Sequence, residues 1–400
     1  GIAMSRVALS EKDIKALTDF LGSVSKDPLE FVRLAFPWGE PNTQLEDKEG
    51  PDIWQIELLN DIKEGLKTPD QVIREAVASG HGIGKSAMVA WIILWAISTH
   101  EDTKGVVTAN TDTQLKTKTW AELAKWYYLF IAKDLFTYSA TSIYSNQEGH
   151  EKTWRIDAIP WNDSNPAAFA GLHNQGKRTL VIFDEASEIS DIIWEVAEGA
   201  MTDADTEIIW CVFGNPTQSS GRFHACFHKN RSLWNRKQID SRTVKISNKA
   251  ELEGWRVQYG EDSDFFKVRV KGEFPSASEK QFISTALVDE ARRRTLHEKQ
   301  FRFAPVIIAC DPAWTGGDET VIYLRQGLFT KKLFATTKND NDIEIAGILA
   351  RFEDEYKADA VFIDLGYGTG IKSAGDAWGR SWTLIAFGGK PNRQDCKNKR

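Results

Sequence analysis

Residues 79–86 read Ser-Gly-His-Gly-Ile-Gly-Lys-Ser. Glycines at this spacing let successive backbone N–H groups converge on one anion, and a lysine and a hydroxyl follow at once. That is chemistry for a polyphosphate. Ser79, Gly80, His81, Gly82, Ile83 and Gly84 would wrap it, Lys85 would reach its β- and γ-phosphates, and Ser86 would hold Mg²⁺. Ser79 stands where G-x-x-x-x-G-K-[ST] has its first glycine. A ligand-free turn would tolerate the same glycines; the intact Gly84-Lys85-Ser86 favours the nucleotide.

The run Thr179–Phe183 suits a buried strand and ends in Asp184-Glu185. Carboxylates at that edge would serve Mg²⁺ (Asp184) and polarise an attacking water (Glu185), although Asp-Glu also starts helices. A third apolar run ends in Gly214-Asn215-Pro216-Thr217, where Asn215 and Thr217 would sense a γ-phosphate or form an ordinary turn. Upstream, Trp54 and Gln55 would stack on and hydrogen-bond an adenine, or Gln55 would face solvent.

A second pair, Asp311 and Asp364, closes two further β-like runs. If those strands are parallel neighbours, both carboxylates share one edge, where two Mg²⁺ or Mn²⁺ ions about 4 Å apart would clamp a phosphodiester for attack by water. Asp318 reads first as a hairpin cap. Gly366-Tyr367-Gly368-Thr369-Gly370 lacks the lysine of a phosphate loop and suits close approach of a nucleic-acid backbone. His224, Cys226 and His228 match no closed four-ligand zinc site.

These residues need elements to position them. The strands Ile73–Ala78, Gly105–Ala109, Trp154–Ile159, Thr179–Phe183 and Glu207–Phe213 alternate with the helices Ser86–Ser98, Gln114–Phe130 and Ser190–Ala200, which predicts an α/β domain on a mainly parallel central sheet. From Pro305 the order changes. Strands Val306–Cys310, Thr320–Arg325 and Leu328–Thr336 precede a helix (Asp342–Tyr356), a strand (Ala360–Asp364), a helix near Ile371–Trp378 and a strand (Trp382–Phe387). Two hairpins and a crossover predict an RNase H-like α/β domain. The expected organisation is an acidic helical segment over 1–50, a P-loop ATPase domain over 51–220, a basic linker over 221–300 and the RNase H-like domain over 301–400.

Composition is compatible with this. The 400 residues carry a net charge of −7 and 42% hydrophobic residues, which excludes wholesale disorder and a uniformly basic nucleic-acid coat. Local basic patches remain open: Arg222–Lys249 holds eight Lys/Arg against one Asp, fit for phosphate contacts or for a solvated face. Four scattered cysteines are no disulfide framework and fit a reducing compartment. The longest apolar run, Ala87–Ser98, falls short of the about 20 residues of a membrane span.

Together these residues resemble the large terminase subunit of tailed bacteriophages. The likeness rests on Ser79–Ser86, Leu180–Ser187, Gly214–Thr217, Arg269-Val270-Lys271-Gly272-Glu273-Phe274-Pro275, Asp311-Pro312-Ala313 and Asp364–Gly370. It implies a DNA-packaging motor: an additional-strand P-loop ATPase using ATP and Mg²⁺, with Asn215 and Thr217 coupling hydrolysis to movement, and an endonuclease at Asp311 and Asp364 that cuts concatemeric DNA. It implies double-stranded DNA, a portal protein on a procapsid, a small terminase subunit and a homo-oligomeric, pentameric ring as partners. The setting would be the cytoplasm of the infected bacterial host, outside the mature virion and without a membrane. Arg155, Arg178 and Arg222 become arginine-finger candidates. The family's third nuclease carboxylate would lie beyond Arg400, so the second domain reads as truncated at its C-terminus. Two other classes remain: a helicase-like remodelling ATPase whose second domain only binds DNA, and a non-enzymatic scaffold with a structural nucleotide.

Overall fold

The computed structural model describes residues 8–109, 111–164, 166, 171–276, 283, 285–314, 317–337 and 340–389. It divides into two units, Gly1–Val288 and Asp289–Arg400.

The first unit is built on an eight-stranded sheet of order β3-β4-β5-β2-β6-β7-β1-β8. Its strands are β1 (Ile73–Ser79), β2 (Lys104–Thr108), β3 (Phe136–Tyr138), β4 (Ser142–Ser145), β5 (Arg155–Ala158), β6 (Arg178–Phe183), β7 (Glu207–Gly214) and β8 (Asn235–Ile239). From β5 to β8 all neighbours are parallel, and β3 and β4 add an antiparallel margin. β6 is buried along its whole length, as near-continuous apolar runs in covered parallel strands require. One strand, β7, lies between the loop strand β1 and the Asp-Glu strand β6.

The helix Lys85–Ser98 is buried from Met88 to Ser98, which explains a sequence apolar on all sides. It lies in one core with the N-terminal helices Glu11–Ser23 and Pro28–Ala35 and with Ile53–Gly65. Trp95 Nε1 donates to the Val24 carbonyl at 3.1 Å, fastening the N-terminal segment to it.

Several elements differ from expectation. The stretch expected as a linker contributes β8, which pairs in parallel with β1, and its residues to Val288 belong to the first unit. The reason is that the β1 edge would otherwise leave its backbone unpaired. The expected helix Gln114–Phe130 is interrupted: Leu115–Thr119 is a π-helical turn, and the α-helix resumes over Trp120–Leu129. Lys267–Lys271 is a second π-helical turn.

The second unit holds a five-stranded sheet of order β11-β10-β9-β12-β13. Its strands are β9 (Val306–Asp311), β10 (Glu319–Gln326), β11 (Phe329–Thr337), β12 (Ala360–Asp364) and β13 (Thr383–Ile385). β9, β10 and β11 are antiparallel neighbours, and β12 returns parallel to β9, followed by parallel β13. This is the RNase H-like order. The crossover helix Asp342–Tyr356 covers Ile308, Cys310, Ile322, Val361 and Ile363 on one face. On the other face Ala309, Tyr323 and Ile385 are exposed. Gly366–Gly370 is not a loop but the start of the helix Leu365–Ala377, capped by Asp364, whose Oδ2 accepts from Gly366 N at 3.0 Å.

Candidate functional site

β1 ends at Ser79 and the helix begins at Lys85, so the loop between them turns back on itself. Gly82 and Gly84 make that turn with φ of 72° and 82°, values that side chains resist. The loop is anchored from two sides. Trp54 Nε1 donates to Ile83 O at 3.0 Å and Gln55 Nε2 to Gly84 O at 3.0 Å. On the other side Gly80 N donates to Ile239 O (3.1 Å), His81 N to Arg269 O (2.8 Å) and Ser241 Oγ to His81 O (2.7 Å). A Cβ on Gly80 would collide with Ser241 Oγ and Val270 O, so only glycine fits.

Lys85, Asp184 and Glu185 meet at the C-terminal edge of the sheet. Lys85 Nζ donates to Glu185 Oε1 at 2.6 Å and lies 3.4 Å from Asp184 Oδ1. Burial opposes the Lys85 charge, but the two carboxylates outweigh it and hold its pKa above the ordinary value. Asp184 is 3% exposed and accepts from Thr119 Oγ1 at 2.7 Å. Glu185 has φ +51°, a left-handed conformation for a non-glycine residue, at the point where the chain leaves β6. Asn215 Nδ2 lies 3.3 Å from His81 Nδ1, and Thr217 Oγ1 donates to Glu188 Oε1 at 2.9 Å. Ser86 is half-buried among the lining residues of the same cleft, which measures about 860 Å³ and is lined also by Lys85, Asp184, Glu185 and Asn215.

Gln55, the expected adenine contact, lines the same cleft and also fastens the loop. Its Oε1 accepts from Asp52 N at 2.8 Å and its amide holds Gly84, so a residue 5% exposed serves as cap and tether. Sequence reasoning missed Thr119 and Ser241, and it singled out Arg269–Pro275 without foreseeing that the Arg269 and Val270 carbonyls meet the loop. Thr119 comes from one π-helical turn and the carbonyls from the other. Such turns gather at functional sites but leave no clear period in a sequence.

Asp311 and Asp364 end β9 and β12, whose preceding residues Cys310 and Ile363 are register partners. Both line a cavity of about 560 Å³ with Glu319, Tyr323 and Lys332. Partial burial, then the charges of Asp364 and Asp318, raise the Asp311 carboxyl above its ordinary pKa. Asp318 is thus electrostatically part of this edge. The one group of three metal-capable side chains within 4.8 Å among the described residues is elsewhere: Glu101, Asp102 and His150. Lys177 Nζ lies 3.9 Å from Asp102 there.

Arg178 is excluded as a finger reaching another subunit. It is fully buried at the start of β6, donates to Glu207, Ala96 O, Thr99 and Ser25 O, and stacks over Trp95. Arg155 is held by Asp157 and Arg222 by Glu198. His224 and His228 stack at 3.8 Å, and Cys226 Sγ donates to Arg222 O.

Over 234 residues the chain is 26% identical to the "Probable terminase, large subunit" of Enterobacteria phage P7, covering 55% of this chain. The chain is similar to phage terminase large subunits. It spans about half that relative's length, 46%. The HK97 bacteriophage large terminase is 11% identical, with TM-score 0.47 and coverage of 92% of this chain and 85% of that one. The large terminase of a thermophilic bacteriophage, in complex with ADP, is 13% identical, with TM-score 0.43 and coverage of 83% and 81%. No family model matches the chain. Among the described residues no helix is long and apolar enough to cross a membrane.

Proposed function

We propose that this chain is the ATP-hydrolysing subunit of a viral DNA-packaging motor, with an endonuclease site in its second unit. The observation that carries the reading is the meeting of Lys85, Asp184 and Glu185 beneath a phosphate loop anchored on both sides.

In the ground state Lys85 neutralises Glu185. An entering γ-phosphate competes for the lysine, and its departure frees the Glu185 carboxylate to take a proton from water. Asp184, fixed by Thr119, and Ser86 offer oxygen donors suited to Mg²⁺, which when bound would neutralise charge on the phosphates. The loop N–H groups and the N-terminal end of the helix Lys85–Ser98 orient the phosphates. Asn215 against His81, and Thr217 against Glu188, tie the β7 tip to the loop and to the segment after Glu185. A change at the γ-phosphate would pass through them.

Asp311 and Asp364 make a two-carboxylate edge with Asp318 nearby. Partial burial, with the charges of Asp364 and Asp318 adding to it, raises Asp311, which fits a site where Mg²⁺ or Mn²⁺ would offset that cost and clamp a phosphodiester. Double-stranded DNA is the substrate of this reading, gripped in part by cations of Arg222–Lys249; of these Arg222, Lys237 and Arg242 also hold Glu198, Asp61 and Glu261. The portal of a procapsid, a small terminase subunit, a pentameric ring and the host cytoplasm follow from the resemblance. So does the domain assignment of ATPase followed by nuclease.

The test is paired. Wild-type protein should hydrolyse ATP and cut plasmid with Mn²⁺; Lys85→Ala should lose the first and Asp311→Ala the second. ATP turnover with no cleavage under any metal would favour a remodelling ATPase.

A further inference from the structure

Two aromatic side chains stand at the carboxylate edge of the second unit, each three residues past a carboxylate: Trp314 after Asp311 and Tyr367 after Asp364. Their rings touch, with centroids 5.8 Å apart and planes inclined by 59°. Yet Trp314 is 53% exposed and Tyr367 55% exposed. Large aromatics are ordinarily buried for their apolar area, so a contacting pair with outer faces in water is an unfilled stacking surface.

The backbone holds this pair in place. Tyr367 is the one residue of the helix Leu365–Ala377 with non-helical angles, φ −118° and ψ 17°. Beside it Gly368 is pressed on β12, where a Cβ would lie 2.5 Å from Ile363 Cγ2. Close packing of the glycine thereby sets the position from which Tyr367 projects. On the other strand, Thr320 Oγ1 donates to Ala313 O at 3.0 Å and accepts from Ala313 N at 2.9 Å, fixing the backbone next to Trp314. Lys332, in the cavity of Asp311 and Asp364, adds a cation beside the edge.

The geometry points to Trp314 and Tyr367 as a stacking platform for an unpaired DNA base next to the phosphate that Asp311 and Asp364 engage. Tilted rings in contact leave no slot between them, so the base stacks on an outer ring face. Stacking of this kind tolerates any base, because every base has a π-face. The platform would hold a nucleotide pulled out of the duplex and so fix the register of the backbone at the carboxylates. This inference rests on the nuclease reading.

The experiment uses the full chain and a DNA duplex carrying one unpaired 2-aminopurine, titrated with Ca²⁺ in place of Mn²⁺. Wild-type protein should quench the 2-aminopurine. Trp314→Ala and Tyr367→Ala should each abolish most of the quench and weaken binding about tenfold, whereas Trp314→Phe should retain both. Absence of quenching by wild type, or unchanged quenching and affinity in both alanine variants, would overturn the platform. Plasmid cutting with Mn²⁺, measured on the same preparations with Asp311→Ala, separates the two readings. Cutting that depends on Asp311 but not on the aromatic pair leaves the nuclease and removes the platform. Quenching that depends on the pair without any cutting does the reverse.

Discussion

Two carboxylate pairs, Asp184-Glu185 and Asp311/Asp364, occupy the same kind of position, at the C-terminal edge of parallel strands, in very different surroundings. Asp184 is buried, hydrogen-bonded by Thr119 and faced by Lys85, within a loop system anchored by Gln55, Ser241 and the Arg269 carbonyl. Asp311 is more open, only partly shielded and beside other carboxylates, on a sheet face whose Tyr323 and Ile385 are exposed. In the first site Lys85 offsets part of the carboxylate charge from within the protein. In the second, partial burial and the neighbouring carboxylates both disfavour the Asp311 charge. A buried charge without a partner is costly, whereas an exposed one is screened by water. The contrast separates a cleft whose groups are already fastened to one another from a more open edge.

Each site should fail without the other failing. The largest expected effect is from Asp311→Ala, which should abolish metal-dependent plasmid cutting and leave steady-state ATP hydrolysis within about twofold. Next, Gly80→Val drives a side chain into Ser241 and the Val270 carbonyl. ATP hydrolysis should fall by about a hundredfold or more with plasmid cutting retained, and a thermal melt should report the overpacking, about 1–3 kcal/mol. Thr119→Val removes the donor to Asp184 and should lower ATP turnover about tenfold, equivalent to about 1.4 kcal/mol at the transition state.

The smallest effect concerns Glu75 on β1, which belongs to neither carboxylate pair. Burial, with Asp61 adding to it, pushes its carboxyl up to about 8 against the opposing Asn235 amide and Lys237; Cys211 lies alongside. The fold favours the protonated acid. Its stabilising contribution is full below the ordinary value of 4.5 and is lost as pH rises through about 8. Glu75→Gln should raise Tm at pH 8.5 by about 2–4 °C over wild type, a difference that vanishes near pH 4.5. An equal Tm across that range would show that Glu75 does not titrate as its burial implies.

Much of this was legible in the sequence where a residue's role coincides with local pattern. The strand–loop–helix around Lys85, the apolar run ending in Asp184-Glu185 and the helix Asp342–Tyr356 follow from periodicity and glycine spacing alone. β8 was hidden because Asn235-Arg236-Lys237-Gln238 is polar; it is held by pairing with β1 and by Lys237 bridging to Asp61, neither of which is local. The hairpin β3–β4 is two very short strands, below the reach of alternation. Gly366–Gly370 lay ahead of the helix expected near Ile371–Trp378; glycine disfavours helix, yet the helix starts at Leu365, with Gly368 packed on Ile363. Thr119 and the Arg269 and Val270 carbonyls were out of reach for a related reason. Each sits on a π-helical turn, a one-residue shift that only tertiary contact rewards.

The central claim is that Glu185, released from Lys85, activates water for ATP hydrolysis. Steady-state ATP turnover of Glu185→Gln, measured beside nucleotide binding, tests it most directly. The variant should bind ATP at least as well as wild type and turn it over at least about a hundredfold more slowly. Turnover by Glu185→Gln at the wild-type rate would contradict the account.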